Sequence, residues 1–167
     1  MLKRRTLLTT LPTLAKEWKV AFEFKPKSYN QRYTYAQVLQ MTIGGKSGSV
    51  GDQTPSLMFH KRRGVYIVTA LNGKAKVGKF FPSMKPPVGK WTRIEISQAK
   101  QDSRYMFSLT IGDEEVWSVA NSKPEEFSDV KVYASSPWYG AQAGAIRGLQ
   151  IENKIRGKSN NFEKSLE

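Results

Sequence analysis

From Gly89 to Val119 the chain alternates apolar and polar residues with the period of two that belongs to a half-buried strand, in runs divided by turn residues. Ile94 and Ile96 share one side of the first run. Tyr105, Phe107, Leu109 and Ile111 share one side of the second. Gly112-Asp113 is a tight hairpin signal, and Val116 to Val119 form the return arm. The pattern predicts a three-stranded meander with no helical period.

The same pattern recurs along the chain. Leu7 to Leu11 reads as an edge strand ended by Pro12, because proline cannot donate to a ladder. Glu17 to Lys25 puts Trp18, Val20, Phe22 and Phe24 on one face and Glu17, Lys19, Glu23 and Lys25 on the other. Tyr33 to Ile43 follows, with Leu39, Met41 and Ile43 in phase, and Gly44 to Asp52 is a glycine-rich loop. Pro55 to His60 and Gly64 to Leu71 read as a pair joined across Lys61-Arg62-Arg63. Asn72-Gly73 is the strongest hairpin signal in the chain, since both residues tolerate positive φ, and a strand near Lys79 to Phe81 follows it. Asn121 to Ser128 reads as a loop with a short helical turn at Pro124 to Phe127. Asp129 to Ala134 is a strand, Ser135 to Gly144 a loop carrying Trp138-Tyr139, and Ala145 to Glu152 a last strand. Many short strands with regularly spaced turns predict an all-β fold, a two-sheet antiparallel jelly-roll sandwich over residues 1–152. Residues 153–167 are polar and aperiodic and are expected to be a flexible tail. Leu166-Glu167 resembles a cloning remnant, and the whole reads as a domain cut from a larger protein.

Composition narrows the functions. In 167 residues, 27 Lys and Arg stand against 14 Asp and Glu, a net charge of +13. That balance favours polyanionic partners if the charges gather on one face, and only solubility and unpaired sheet edges if they do not. The absence of cysteine excludes disulfides and thiolate metal sites, and a lone His60 excludes histidine clusters. No apolar run approaches the ~20 residues that span a bilayer. The basic, leucine-containing start echoes a signal peptide, but its threonines and Pro12 break the apolar region, so it reads as a first strand and flank.

Catalytic kits are hard to find. Glycosidases need two carboxylates about 5–10 Å apart, and no Glu-x-Asp-x-x-Glu run projects acids to one side of a strand. Asp113-Glu114-Glu115 are consecutive at a turn. Gly44-Gly45-Lys46-Ser47-Gly48 lacks the spacing and the following helix of a phosphate loop. Calcium is the one cofactor that scattered loop acids leave open. Trp138 and Tyr139 sit in a loop, where rings either cap the sandwich or stack on a sugar. Of the basic clusters, Lys61-Arg62-Arg63 and Lys74/Lys76 flank one β-region, so Arg62, Arg63, Lys74 and Lys76 are the candidates for a converging binding face.

Four blocks resemble the concanavalin A-like lectin/glucanase superfamily, and within it laminin G-like domains: Trp18 to Pro26, Gly89-Lys-Trp-Thr-Arg-Ile-Glu-Ile96, Phe107 to Val116, and Gly144-Ala-Ile-Arg-Gly-Leu-Gln-Ile151. The last three are similar to that family's GxWxxVxI strand, its LxIDGxxV hairpin and its closing GxIRNLxI strand. The resemblance implies a non-catalytic recognition module of a larger extracellular protein. Calcium-binding members place acids in rim loops, which makes Asp52 the nearest metal candidate. The expected ligand is an acidic or sulfated carbohydrate, or a glycoprotein bearing it, bound through Arg62, Arg63, Lys74, Lys76, Trp138 and Tyr139. A structural interaction domain and a carbohydrate-active enzyme of the same fold are the alternatives. Nucleic acid is disfavoured, because no aromatic-basic motif of the known RNA-binding modules occurs.

Overall fold

The computed structural model describes residues 1–30, 32–45, 48–155 and 157–165; Lys46-Ser47 and Leu166-Glu167 lie outside them. The described residues contain twelve strands and no helix: β1 (Thr6–Leu14), β2 (Trp18–Pro26), β3 (Tyr35–Thr42), β4 (Ser56–His60), β5 (Gly64–Leu71), β6 (Lys74–Phe81), β7 (Thr92–Gln101), β8 (Arg104–Ile111), β9 (Glu114–Asn121), β10 (Phe127–Ala134), β11 (Gly144–Ile155) and β12 (Lys158–Lys164). They form two antiparallel sheets of six. Sheet A runs β1-β10-β3-β4-β5-β6, and sheet B runs β12-β11-β2-β7-β8-β9.

The period of two builds this sandwich directly. Trp18, Val20, Phe22 and Phe24 all enter the core, as do Ile94 and Ile96 on β7 and Phe107, Leu109 and Ile111 on β8. Sheet A answers with Leu39 and Met41 on β3, Leu57 and Phe59 on β4, and Val65 and Ile67 on β5. Phe24 stacks on Phe59 across the layers with ring centroids 5.6 Å apart. Asn72 and Gly73 take φ of 55° and 75°, the left-handed pair that a two-residue hairpin requires.

Four sequence expectations are corrected. Pro12 does not end β1, which runs on to Leu14 with Pro12 exposed on an edge strand, where a missing donor is tolerated. Ile43 continues the β3 phase, yet it lies beyond the strand end and is 40 % exposed. Residues 124–126 form no helical turn; Phe127 opens β10 directly. The expected flexible tail instead extends β11 to Ile155 and returns as β12, paired from Leu149↔Lys164 to Ile155↔Lys158. Main-chain hydrogen bonds carry this edge strand, with Phe162 its partly buried apolar contact on the core. An edge strand with one face in water needs little apolar periodicity, so the hydrophobic pattern did not reveal it.

Candidate functional site

The outer side of sheet A carries an aromatic face. Because Leu57, Phe59, Val65 and Ile67 point inward, Met58, His60, Tyr66 and Val68 must point outward. The register aligns Gln37, Met58, Tyr66 and Phe80 in one row across β3 to β6, with Tyr35 opposite His60. Tyr66 stacks on Phe80 at 4.1 Å and 18°, and Tyr35 lies 5.6 Å from Tyr66 and 4.8 Å from His60. Gly78 makes this stack possible: a Cβ there would collide with the Tyr66 hydroxyl.

Beside these rings lies a groove of about 250 Å³, lined by Tyr35, Gln37, Gln53, Met58, Tyr66, Val68, Lys76 and Tyr139. Rings and apolar side chains form most of its wall, and two amides and one ammonium supply its polarity. Gln37 is fully buried; its Oε1 accepts from Ser56 Oγ at 3.0 Å. Gln53 is also buried, and its Oε1 has no hydrogen-bond partner among the described residues. An orphaned buried acceptor is costly. No Asp, Glu or His lines the groove.

Tyr139 reaches the groove from the loop between β10 and β11, which folds back over the sheet. Gln37 N donates to Gly140 O and Gln142 N to Gln37 O, both at 2.8 Å. Ser136 Oγ accepts from the backbone N–H of Trp138 and Tyr139 at 3.0 and 3.2 Å. On the far side of this loop Trp138 and Tyr139 line a second hollow of about 670 Å³ with Arg4, Arg5, Leu7, Tyr133 and Pro137. Arg5 sits there at φ 65°, a left-handed conformation costing about 1–2 kcal/mol for a side chain of its size.

The predicted basic residues are only partly brought together. Lys76 and Tyr139 share the groove. Arg63 stands at its margin, with its guanidinium carbon 3.8 Å from the centre of the Phe80 ring. Arg62 is exposed on the β4–β5 turn, Lys74 is exposed at the start of β6 outside the groove, and Trp138 belongs to the second hollow. The groove's own floor, Gln37, Gln53, Met58 and Tyr66, escaped the sequence reading. Its nearest signal was the β4–β5 alternation, which fixes the outward residues but not what lies across from them.

Asp52 is a loop staple. It is buried, and its Oδ2 accepts from the backbone N–H of Gly48 and Ser49, each at 2.9 Å. Gly45 leaves room for that carboxylate, since a Cβ there would overlap it. No group of three or more His, Cys, Asp or Glu that could hold a metal ion occurs among the described residues, and the contacts of the Asp52 carboxylate are those that close the loop.

Charge is divided between the two sheets. The described ion pairs, Lys19–Glu152, Arg93–Glu95, Arg147–Glu23 and Lys154–Glu17, all lie on or beside the strands of sheet B. There Arg147 holds the Glu23 carboxyl below the usual range, chiefly through its 2.7 Å hydrogen bond. By contrast, the sequence from Gln53 to Ile94 holds no Asp or Glu, so β4 to β6 bring no acid of their own to their cations.

His60 reports that field. Its Nδ1 accepts from the backbone N–H of Arg62 and Arg63, each at 3.1 Å. Burial first, then the Arg63 and Arg62 charges, hold its pKa below 6.5. The folded chain therefore binds fewer protons than the unfolded one just below pH 6.5. This contribution to stability is complete above 6.5 and is lost as pH falls through 6.5 toward the lower folded value. An NMR titration of the His60 ring is expected to give a midpoint below 6.5, and Arg63→Ala is expected to raise it. An unchanged midpoint in Arg63→Ala would remove the arginine field as a cause.

No protein-family model matches the chain, and no curated protein matches it. Solved structures do. Sheep galectin-11, in complex with glycerol, superposes with a TM-score of 0.55 at 11 % identity, over 90 % of this chain and 99 % of that one. A single-substitution variant of human galectin-16 gives 0.55 at 13 %, over 89 % and 99 %. The Ruminococcus gnavus IT-sialidase CBM40 bound to α2,3 sialyllactose gives 0.51 at 12 %, over 87 % and 85 %. At these identities the likeness is one of fold. The chain shares with these proteins a fold of two packed antiparallel β-sheets.

Proposed function

We propose that the chain is a non-catalytic carbohydrate-recognition module that takes an acidic or sulfated glycan in the groove on the outer face of sheet A. The observation that carries this reading is the groove's lining: aromatic rings for a sugar's C–H face, the Gln53 side chain at the wall for a hydroxyl, and Lys76 on a wall without acids for an anionic substituent. Two points favour binding over catalysis. The lining holds no carboxylate pair or histidine. Burial, then Tyr35, pushes the Tyr66 phenol up, which keeps it protonated and a poor base near neutrality. The galectin and carbohydrate-binding-module likenesses fit a glycan ligand, and the sialidase module's sialyllactose is itself an acidic sugar. The laminin G-like relationship, an extracellular setting and a larger parent protein extend the same reading and rest on the sequence blocks.

Calorimetric titration tests it. Sulfated or uronic oligosaccharides are expected to bind more tightly than neutral ones of equal length. Lys76→Glu and Gln53→Ala are each expected to weaken the acidic ligand by about tenfold, some 1.4 kcal/mol. Lys76 is exposed on β6, so its reversal leaves the core untouched. Affinity within about twofold in both variants would discard the groove.

A further inference from the structure

We propose that the hollow between the Arg4-Arg5 bend and the Pro137–Tyr139 loop is a second anion subsite, holding a sulfate or carboxylate of the same acidic oligosaccharide that fills the groove; the proposal rests on that reading of the groove. The two depressions lie on one face. Leu7 pairs with Tyr133, and Tyr133 pairs with Gln40 of β3, so the hollow opens on the outer side of β1 and β10 as the groove opens on that of β3 to β6. Tyr139 lines both and is their common wall.

The hollow's chemistry suits an anion. Its lining includes Arg4, Arg5, Tyr133 and Trp138, with no Asp or Glu. Neither arginine takes part in a described ion pair. Arg5 is held by the fold: its backbone N–H donates to Ser136 O at 3.0 Å and its Nε to Pro137 O at 3.4 Å. With Nε engaged, the terminal amino groups of the guanidinium remain to grip a sulfate or carboxylate in a bidentate fork. Arg5 stands at φ 65° in the turn that leads into β1. Trp138 and Tyr133 supply ring faces for the sugar beside it.

Geometry sets the ligand's length. The middle of the hollow, between β1 and β10, and the middle of the groove, between β4 and β5, are three strands apart, roughly 14 Å at the ordinary spacing in a sheet. A disaccharide does not cover that distance. A longer acidic chain does, and its second contact then adds affinity as an intramolecular step.

Titration of heparin-derived di-, tetra- and hexasaccharides against the unsubstituted chain, Arg4→Gln/Arg5→Gln and Lys76→Glu tests this. Arg4→Gln/Arg5→Gln is expected to weaken the hexasaccharide by about tenfold and the disaccharide by less than about twofold. The Trp138 indole N–H resonance of the unsubstituted chain is expected to shift with hexasaccharide and to stay put with disaccharide. Equal losses at both lengths, no loss with the hexasaccharide, or an unmoved Trp138 signal would each overturn the second subsite. Loss with Lys76→Glu alone overturns it too and leaves the groove standing. Loss with Arg4→Gln/Arg5→Gln alone overturns the groove reading, and with it the shared ligand.

Discussion

Phe22→Ala is expected to destabilise the fold by about 3–5 kcal/mol, and Leu109→Ala by about 2–5. Both side chains are fully buried. Phe22 sits on β2, inside sheet B with a strand paired on each side, opposite Ile94 of β7. Leu109 pairs with Ile96 of β7 and with Trp117 of β9. Truncating either leaves a void in a sandwich whose layers are held apart by their main chains, so neighbours cannot collapse into it fully. A domain of this size is stable by only about 5–15 kcal/mol, so the loss should be plain in urea unfolding as a lowered midpoint at unchanged slope. A loss below about 1 kcal/mol at Phe22 would mean that β2 has been placed in the wrong register.

These core positions could be read from the chain because burial on a strand leaves a period of two. Trp18, Phe22, Phe107 and Leu109 each lie in an alternating run, and each is buried. The groove leaves no such trace. Gln37 and Gln53 look like ordinary surface amides in sequence, and they are buried where the 135–143 loop and residues 52–54 come to rest on the sheet. Loop placement depends on contacts remote in sequence, such as Gly140 O with Gln37 N, and nothing local encodes them. The same limit explains the basic residues. Runs such as Lys61-Arg62-Arg63 were visible, while the pairing of Lys76 with Tyr139, and of Arg4-Arg5 with Trp138, needed the fold. Tail residues 158–164 failed for another reason. Their strand is specified by hydrogen bonds to β11 and shows almost no apolar pattern.

Reversing Arg62 and Arg63 to Glu is expected to lower the salt needed for elution from a heparin column more than reversing Lys16 and Lys158 to Glu. Both double reversals change the net charge of +13 by the same amount, so any difference between them reads position alone. All four residues are exposed. Lys16 and Lys158 stand in the β1–β2 connection and at the start of β12, away from the groove. Arg63 lies on Phe80, whose ring stacks on the Tyr66 that lines the groove. Arg62 adjoins it on the same turn, and β4 to β6 bring no acid to offset either charge. A cation in contact with a bound polyanion displaces condensed counterions, so its loss should also flatten the dependence of log affinity on log salt by about one unit per contact, as it does for phosphates. A cation that only adds to the overall field should shift elution while leaving the slope nearly unchanged. Equal elution shifts and equal slopes for the two variants would show that bulk charge alone holds the polymer, and the binding face on sheet A would then be abandoned.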